Sequence, residues 1–315
     1  MFHVCIQIPK VRMRPNVQAP TELKSAPIMT HPMAFPSLPE VRFARIPQES
    51  QARYLGDRFS YIEAGPADAP CVLFLHGIGS NATYFRFQFA SLSHRFRVVA
   101  WNAPGYWMSD NLKTEHPSDA DYAQAVADFT QALDIHDMVL CGNSFGSVVA
   151  QAFAIRHPQR VQRLVLTGTG VGQKQLSAQR REAFEARARR IRLGSYQYGD
   201  AGVDNLVGPH ASPALRAMLV AVTRGTQAAG LLRAVSFRLS DFYTPDVAAA
   251  LTMPVLLVQG SEDRTNPRQD NADLLLPQLP HGRLVELVGI GHLPEVEAPD
   301  TFHQLLESFL SSLDQ

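Results

Sequence analysis

The chain has 315 residues, of which 45% are hydrophobic and 18% charged, enough apolar material for one large or two modest buried cores. Lys plus Arg and Asp plus Glu number 29 each, so no charge excess points to nucleic acid or an anionic membrane as a partner. No apolar run approaches the ~18 residues of a membrane span, and the N-terminal MFHVCIQIPKVRMRP lacks the uninterrupted apolar stretch of a secretory signal.

The cysteines are three, Cys5, Cys71 and Cys141, widely spaced and without a CxxC or Cys/His pattern. Neither a disulfide framework nor a zinc site is expected, and a cytoplasmic location fits. Cys71 and Cys141 lie in apolar runs and read as small buried hydrophobes. Asn81-Ala82-Thr83 matches a glycosylation sequon; without secretion it is a chance match.

Residues 1–40 carry Pro9, Pro15, Pro20, Pro27, Pro32, Pro36 and Pro39 with no periodicity, and read as an extension that is disordered or extended on the surface. The segment 52–65 predicts a hairpin around Gly56-Asp57. Apolar runs follow at 71–77 (CVLFLHG), 97–105 and 138–144, with a helical pattern at 121–135 and a second helix at 147–158. Further apolar runs stand at 163–169, 254–260 and 283–289, and an amphipathic helix closes the chain at 301–313. Runs that are apolar throughout, alternating with helices, mark strands buried on both faces of a doubly wound, mostly parallel α/β sheet. Residues 173–245 break the alternation, with a charged helix at 175–193 and one or two more at 213–242. The expected organisation is a core of 41–172 and 246–315, with 173–245 as a helical cap, or lid, inserted before the strand that carries the acid.

The chemistry starts from Gly142-Asn143-Ser144-Phe145-Gly146, at a strand-to-helix turn. Such a G-x-S-x-G elbow holds the serine in a strained conformation and needs small flanking residues. A serine nucleophile requires a base, and the base an orienter. Of the eleven histidines, His292 lies on a loop between the last apolar run and the final helix, and is the expected base. The acid is expected at another strand end, where Glu262 and Asp263 stand side by side; Asp263 is preferred and Glu262 kept as the alternative. The oxyanion hole is expected from the backbone N–H groups of Phe145 and, in His76-Gly77-Ile78-Gly79, of Ile78.

Together HGIG, NAPGYWMSD, GNSFGS, GSEDRTNP and GIGHLPEVEAP resemble the motifs of the α/β-hydrolase superfamily over residues 50–313. The resemblance implies that fold, the order Ser144, Asp263, His292 for nucleophile, acid and base, and a cap between the sixth strand and the acid strand. The nearest flavour is the subgroup of meta-cleavage-product hydrolases, enol-lactonases and bacterial esterases. Two departures weaken a carbon–carbon cleavage reading: Gly79-Ser80-Asn81-Ala82 stands in place of Gly-Pro-Gly-Ala, and Leu293 in place of tryptophan after the histidine. Ser144 separates the chain from cousins that carry aspartate at the elbow.

The expected function is therefore hydrolysis of a carboxylic ester or lactone of a small apolar substrate through an acyl-enzyme on Ser144. The alternatives are a carbon–carbon bond hydrolase, a non-catalytic ligand receptor of the same fold, and a perhydrolase or acyltransferase. No cofactor and no metal are expected; the partner is a small ester-like molecule, and a homo-oligomer is left open. Tyr84, Phe85, Trp107, Phe145, Phe237, Phe242 and Tyr243 are candidates for an apolar pocket. The arginine-rich helix, from Arg180 to Arg192, is read as a solvated face more than as a carboxylate-binding one.

Overall fold

The computed structural model describes residues 21–23, 35–173, 177–194 and 200–311. Among the described residues nine strands form one sheet: β1 (Thr21–Leu23), β2 (Val41–Arg45), β3 (Arg58–Ala64), β4 (Cys71–Leu75), β5 (Arg97–Trp101), β6 (Met138–Asn143), β7 (Val161–Thr167), β8 (Val255–Gly260) and β9 (Gly282–Leu287), in the order β1-β9-β8-β7-β6-β4-β5-β3-β2. Pairing is parallel from β1 to β5 across the sheet and antiparallel for β5–β3 and β3–β2. Every residue of β4, β6 and β8 is buried. Alternate side chains supply opposite cores: Leu73, Leu75 and Leu140 one, Val72, Phe74 and Cys141 the other. This is why the runs are apolar without alternation.

Ten helices complete the described chain: α1 (Arg86–Leu92), α2 (Asp119–Ala132), α3 (Phe145–Arg156), α4 (Ala178–Arg192), α5 (Asp200–Leu206), α6 (Pro213–Thr223), α7 (Ala228–Phe237), α8 (Ala272–Leu275), α9 (Pro294–Glu297) and α10 (Pro299–Ser311). On one face α2 and α3 bury Val126, Phe129, Val149 and Phe153; on the other α1 and α10 bury Phe89, Phe302 and Leu306. Helix α2 starts at a full capping box, Ser118 with Asp121. Helices α4 to α7 all fall between β7 and β8, and α4 meets α7 through Ala188, Ile191, Leu231 and Val235.

The hairpin differs from the expected one. Strand β3 pairs with β2, Arg45 opposite Arg58, across a long connection. Residues Gln51–Arg53 form a single 3-10 turn instead. Asp128 of α2 explains it, because this buried carboxylate accepts from Ser50 Oγ at 2.7 Å and Tyr54 Oη at 2.8 Å. The connection is thereby pulled onto α2 and out of the sheet. Of the N-terminal extension, Thr21–Leu23 adds as a parallel edge strand to β9, and Phe35 packs edge-on against Phe87. Residues 1–20 and 24–34, Cys5 among them, lie outside the described residues. Cys71 and Cys141 are buried free thiols. Asn81 is buried with its amide donating to Val222 O at 2.7 Å, which leaves the sequon no room for a glycan. Among the described residues no helix is long and apolar enough to cross a membrane.

Candidate active site

Because β4, β6, β7, β8 and β9 run parallel, their C-terminal ends share one edge of the sheet, and the expected residues gather there. Ser144 follows β6 directly and precedes α3. Its φ of 53° and ψ of −114° lie in a region costing about 1–3 kcal/mol for a residue with a side chain. Its N–H donates to Thr167 O at 3.0 Å. The glycines are sterically required: a Cβ at Gly142 would sit 2.4 Å from Gly146 O, and one at Gly146 would sit 2.1 Å from Leu75 O.

His292 is buried on the loop after β9, and its Nδ1 lies 2.8 Å from Asp263 Oδ2. A carboxylate only accepts, so Nδ1 carries a proton, and the neutral ring then keeps its lone pair on Nε2. Asp263 Oδ2 also accepts from Gln259 Nε2, and Oδ1 from the N–H groups of Thr265 and Asn266. Burial pushes this carboxyl up, but the His292 ring and these donors outweigh it and hold it below the usual range. Glu262, the alternative acid, is exposed, and among the described residues its carboxyl makes only a long contact to Ser261. Gly168, at φ +47°, lets the chain pass the imidazole, since a Cβ there would lie 2.8 Å from Nδ1.

Ser144, His292, Ile78 and Phe145 line one cavity of about 140 Å³, with Tyr84, Leu219, Val222 and Leu293 among its apolar walls. Among the described residues neither the Ile78 nor the Phe145 N–H has a backbone or side-chain acceptor. A Cβ on Gly77 would come within 3.2 Å of the Ser144 Cβ, so this loop crosses directly beside the serine. Phe145 also opens α3, whose N-terminus favours negative charge. The loop is held by His76, fully buried, with Nε2 accepting from Ala103 N–H at 3.1 Å and Nδ1 donating to Gly77 O at 2.8 Å. Burial drives its pKa down to about 4, so it stays neutral.

The remaining aromatic candidates stand elsewhere. Phe237 packs in the core against Tyr122 and Phe145. Phe242 packs against that core, Phe85 stacks on Phe74, and Trp107 sits beyond Gly225, its carbonyl taking the Gln227 amide. Tyr243 lines a second, outer cavity of about 910 Å³. Phe184, Arg187, Leu206 and Arg238 line both cavities, which brings Arg187 of the charged helix to the site. The side chain of Arg180 lies outside the described residues.

Sequence reasoning missed α5, whose Gly202, Asp200 and Asp204 are poor helix formers. It braces the site: Leu206 O accepts from His292 N–H at 2.7 Å, and the Arg264 guanidinium donates to the carbonyls of Asp204 and Val207. It also missed Glu295, a fully buried carboxyl beside the His292 loop.

The alpha/beta hydrolase fold family model matches residues 70–299. The chain belongs to that family. Over 258 residues it is 28% identical to a Pantoea ananatis protein named as the carbamate hydrolase RutD, with 78% of this chain and 89% of the relative covered. A thermophilic esterase from Thermogutta terrifontis superposes with a TM-score of 0.76 at 20% identity, covering 88% of this chain and all (100%) of the esterase. The enol-lactonase from Burkholderia xenovorans gives 0.70 at 21% identity, with 81% and 96% covered. At these identities the two structures speak for the fold. The proteins it resembles thus carry esterase, enol-lactonase and carbamate hydrolase names on one shared fold.

Proposed function

We propose that this hydrolase cleaves a carboxylic ester or lactone of a small, apolar acyl group by way of an acyl-enzyme on Ser144. The observation that carries the reading is the His292–Asp263 pair at 2.8 Å, whose His292 lines the same cavity as a strained Ser144 and two unpaired N–H groups. In this mechanism His292 Nε2 takes the hydroxyl proton as Ser144 Oγ attacks the acyl carbon. Asp263 holds the ring tautomer and stabilises the imidazolium. The Ile78 and Phe145 N–H groups stabilise the oxyanion, a contribution of about 3–4 kcal/mol for a single such donor. His292 then protonates the leaving alcohol, and water attacks the acyl-enzyme with His292 again as base. The inner cavity of about 140 Å³ suits a short acyl chain, and the wider outer cavity suits the alcohol portion. Helices α4 to α7 act as the lid over both. Leu293 in the wall, and Asn81 committed to Val222, favour this reading over carbon–carbon cleavage.

Incubation of the folded protein with a fluorophosphonate, followed by peptide mapping, tests the nucleophile. Labelling at Ser144 that is lost in Ser144→Ala is expected, together with turnover on a panel of short-chain aryl esters. No labelling at Ser144 would sink the mechanism. Labelling without turnover on any ester, lactone or dienoate would favour the receptor reading.

A further inference from the structure

Two carboxyls follow His292 on α9, and they are held differently. Glu297 accepts from three backbone N–H groups: Gly208 at 2.6 Å, Gly291 at 3.1 Å and Leu293 at 3.2 Å. Backbone amides only donate and so favour the anion, although burial outweighs them and pushes this carboxyl up as well. Glu295 is 1% exposed and has hydroxyl neighbours. Its Oε1 accepts from Thr167 Oγ1 at 2.7 Å. Its Oε2 is buried without a closed hydrogen bond, as is the Tyr84 hydroxyl that lies against the carboxyl. Hydroxyls donate or accept, so this surrounding serves the neutral acid as well as the carboxylate.

Thr167 ties this carboxyl to the site. Its Oγ1 accepts from Asn143 Nδ2 at 3.1 Å, and the same amide donates to His292 O at 3.3 Å. Its carbonyl holds the Ser144 N–H. The ionisable groups facing Glu295 are Tyr84 on the turn before α1, Cys141 on β6, His292, Glu297, and His303 of α10 beyond Gln88. Burial keeps Tyr84 and Cys141 protonated and drives His303 down to about 4. His292 is therefore the group here that gains positive charge during the reaction.

We propose that Glu295 is a positioning residue that tunes His292: neutral, it only clamps the Thr167–Asn143 bridge to the His292 loop, and ionised, it adds a negative charge near His292 that favours the imidazolium. This rests on His292 acting as the base. Burial raises the Glu295 carboxyl to about 7, against its own N–H, Thr167, the His292 ring and Tyr84, so the change of state falls near neutral pH.

The test compares kcat and KM on an aryl ester from pH 5.5 to 9 for the wild type and Glu295→Gln. At pH 6 the two should agree within about twofold. At pH 8.5 the variant's kcat should be about tenfold lower, with KM moved less than about twofold, as one pK unit of lost charge coupling implies. Superimposable profiles, or the same loss at every pH, would overturn the proposal; the second outcome is what a merely structural role gives. A measurement on the wild type alone is independent of turnover and of the variant's folding. The ring resonances of His292 should carry a second inflection that coincides with loss of a protonated-carboxyl infrared band. Its absence overturns the proposal. Its presence in a protein that turns over no ester would sink the ester reading and leave the coupling standing.

Discussion

Gly146→Ala sets two physical effects against each other at one atom. In an exposed helix the change adds about 0.5–1 kcal/mol of stability, because glycine loses more backbone freedom on folding. Here the new Cβ would lie 2.1 Å from Leu75 O, 2.6 Å from Leu75 C and 2.7 Å from His76 O. All are backbone atoms, two of them within the central strand β4 or at its end, so no side chain can rotate away. Restoring an ordinary carbon–oxygen contact of about 3.3 Å means moving the start of α3 by roughly 1 Å. Overpacking of this kind costs about 1–3 kcal/mol, which exceeds the propensity gain. In a chain of this size the net loss lowers Tm by a few degrees. The larger effect is on catalysis, since the displaced turn carries Ser144 and the Phe145 N–H. A 1 Å misplacement costs about 10²-fold. Calorimetry and ester kinetics on the same preparation measure both. Unchanged or raised Tm with kcat/KM within threefold of wild type would refute the steric reasoning and the elbow's role together.

The side-by-side acids give a clean contrast. Asp263→Asn should lower kcat by about 10⁴ with the fold intact, as expected when the orienting acid is neutralised, while Glu262→Gln should stay within about threefold; reversed effects would reassign the acid. The same Asp263 is held below its ordinary 3.8, so its stabilisation is present above that pH and is lost as pH falls through the folded value. The Tm advantage of the wild type over Asp263→Asn should therefore shrink on acidification, and a constant gap would exclude ionic stabilisation. Glu295 carries the opposite sign. Raised from 4.5 to about 7, it stabilises fully below 4.5 and loses that contribution as pH rises through about 7. From pH 4.5 to 8 Glu295→Gln should gain on the wild type by about 3 kcal/mol, most of the ~3.5 that 2.5 pK units at about 1.4 each amount to; denaturant titrations at both pH values check it.

The strands were legible because burial on both faces leaves an unbroken apolar run, as CVLFL and VLLVQ show. Ser144, Asp263 and His292 were legible because each follows such a run, and the topology brings those ends to one edge. The acid remained a pair, since Glu262 and Asp263 have nearly the same chemistry; one turn of backbone aims the first at solvent and the second at His292. Of the pocket aromatics, Tyr84 and Phe145 line the cavity and Phe237 and Phe242 do not, for a related reason. An aromatic ring suits a core as well as a cavity wall, so Phe237 and Phe242 went inward, while Phe184, Leu219 and Val222 carry no distinguishing mark. The hairpin failed because its alternative is a long-range tie from Tyr54 to Asp128, 74 residues apart. Helix α5 was hidden because it is held by partners and not by its own composition.

Those partners of α5 bear on any attempt to exchange caps between relatives. The natural cut points look like the ends of β7 and the start of β8, a cassette of four helices. Yet α5 ends on the His292 N–H and receives the Arg264 guanidinium, so a transplant at those cuts would remove a support of the base loop along with the specificity it was meant to change. A graft that keeps residues 200–208 native and replaces α4, α6 and α7 around them respects the actual seam. By the same token, Phe184 of α4 and Arg238 just after α7 stand at the outer cavity free of that seam, whereas α5 is in mechanical terms part of the core.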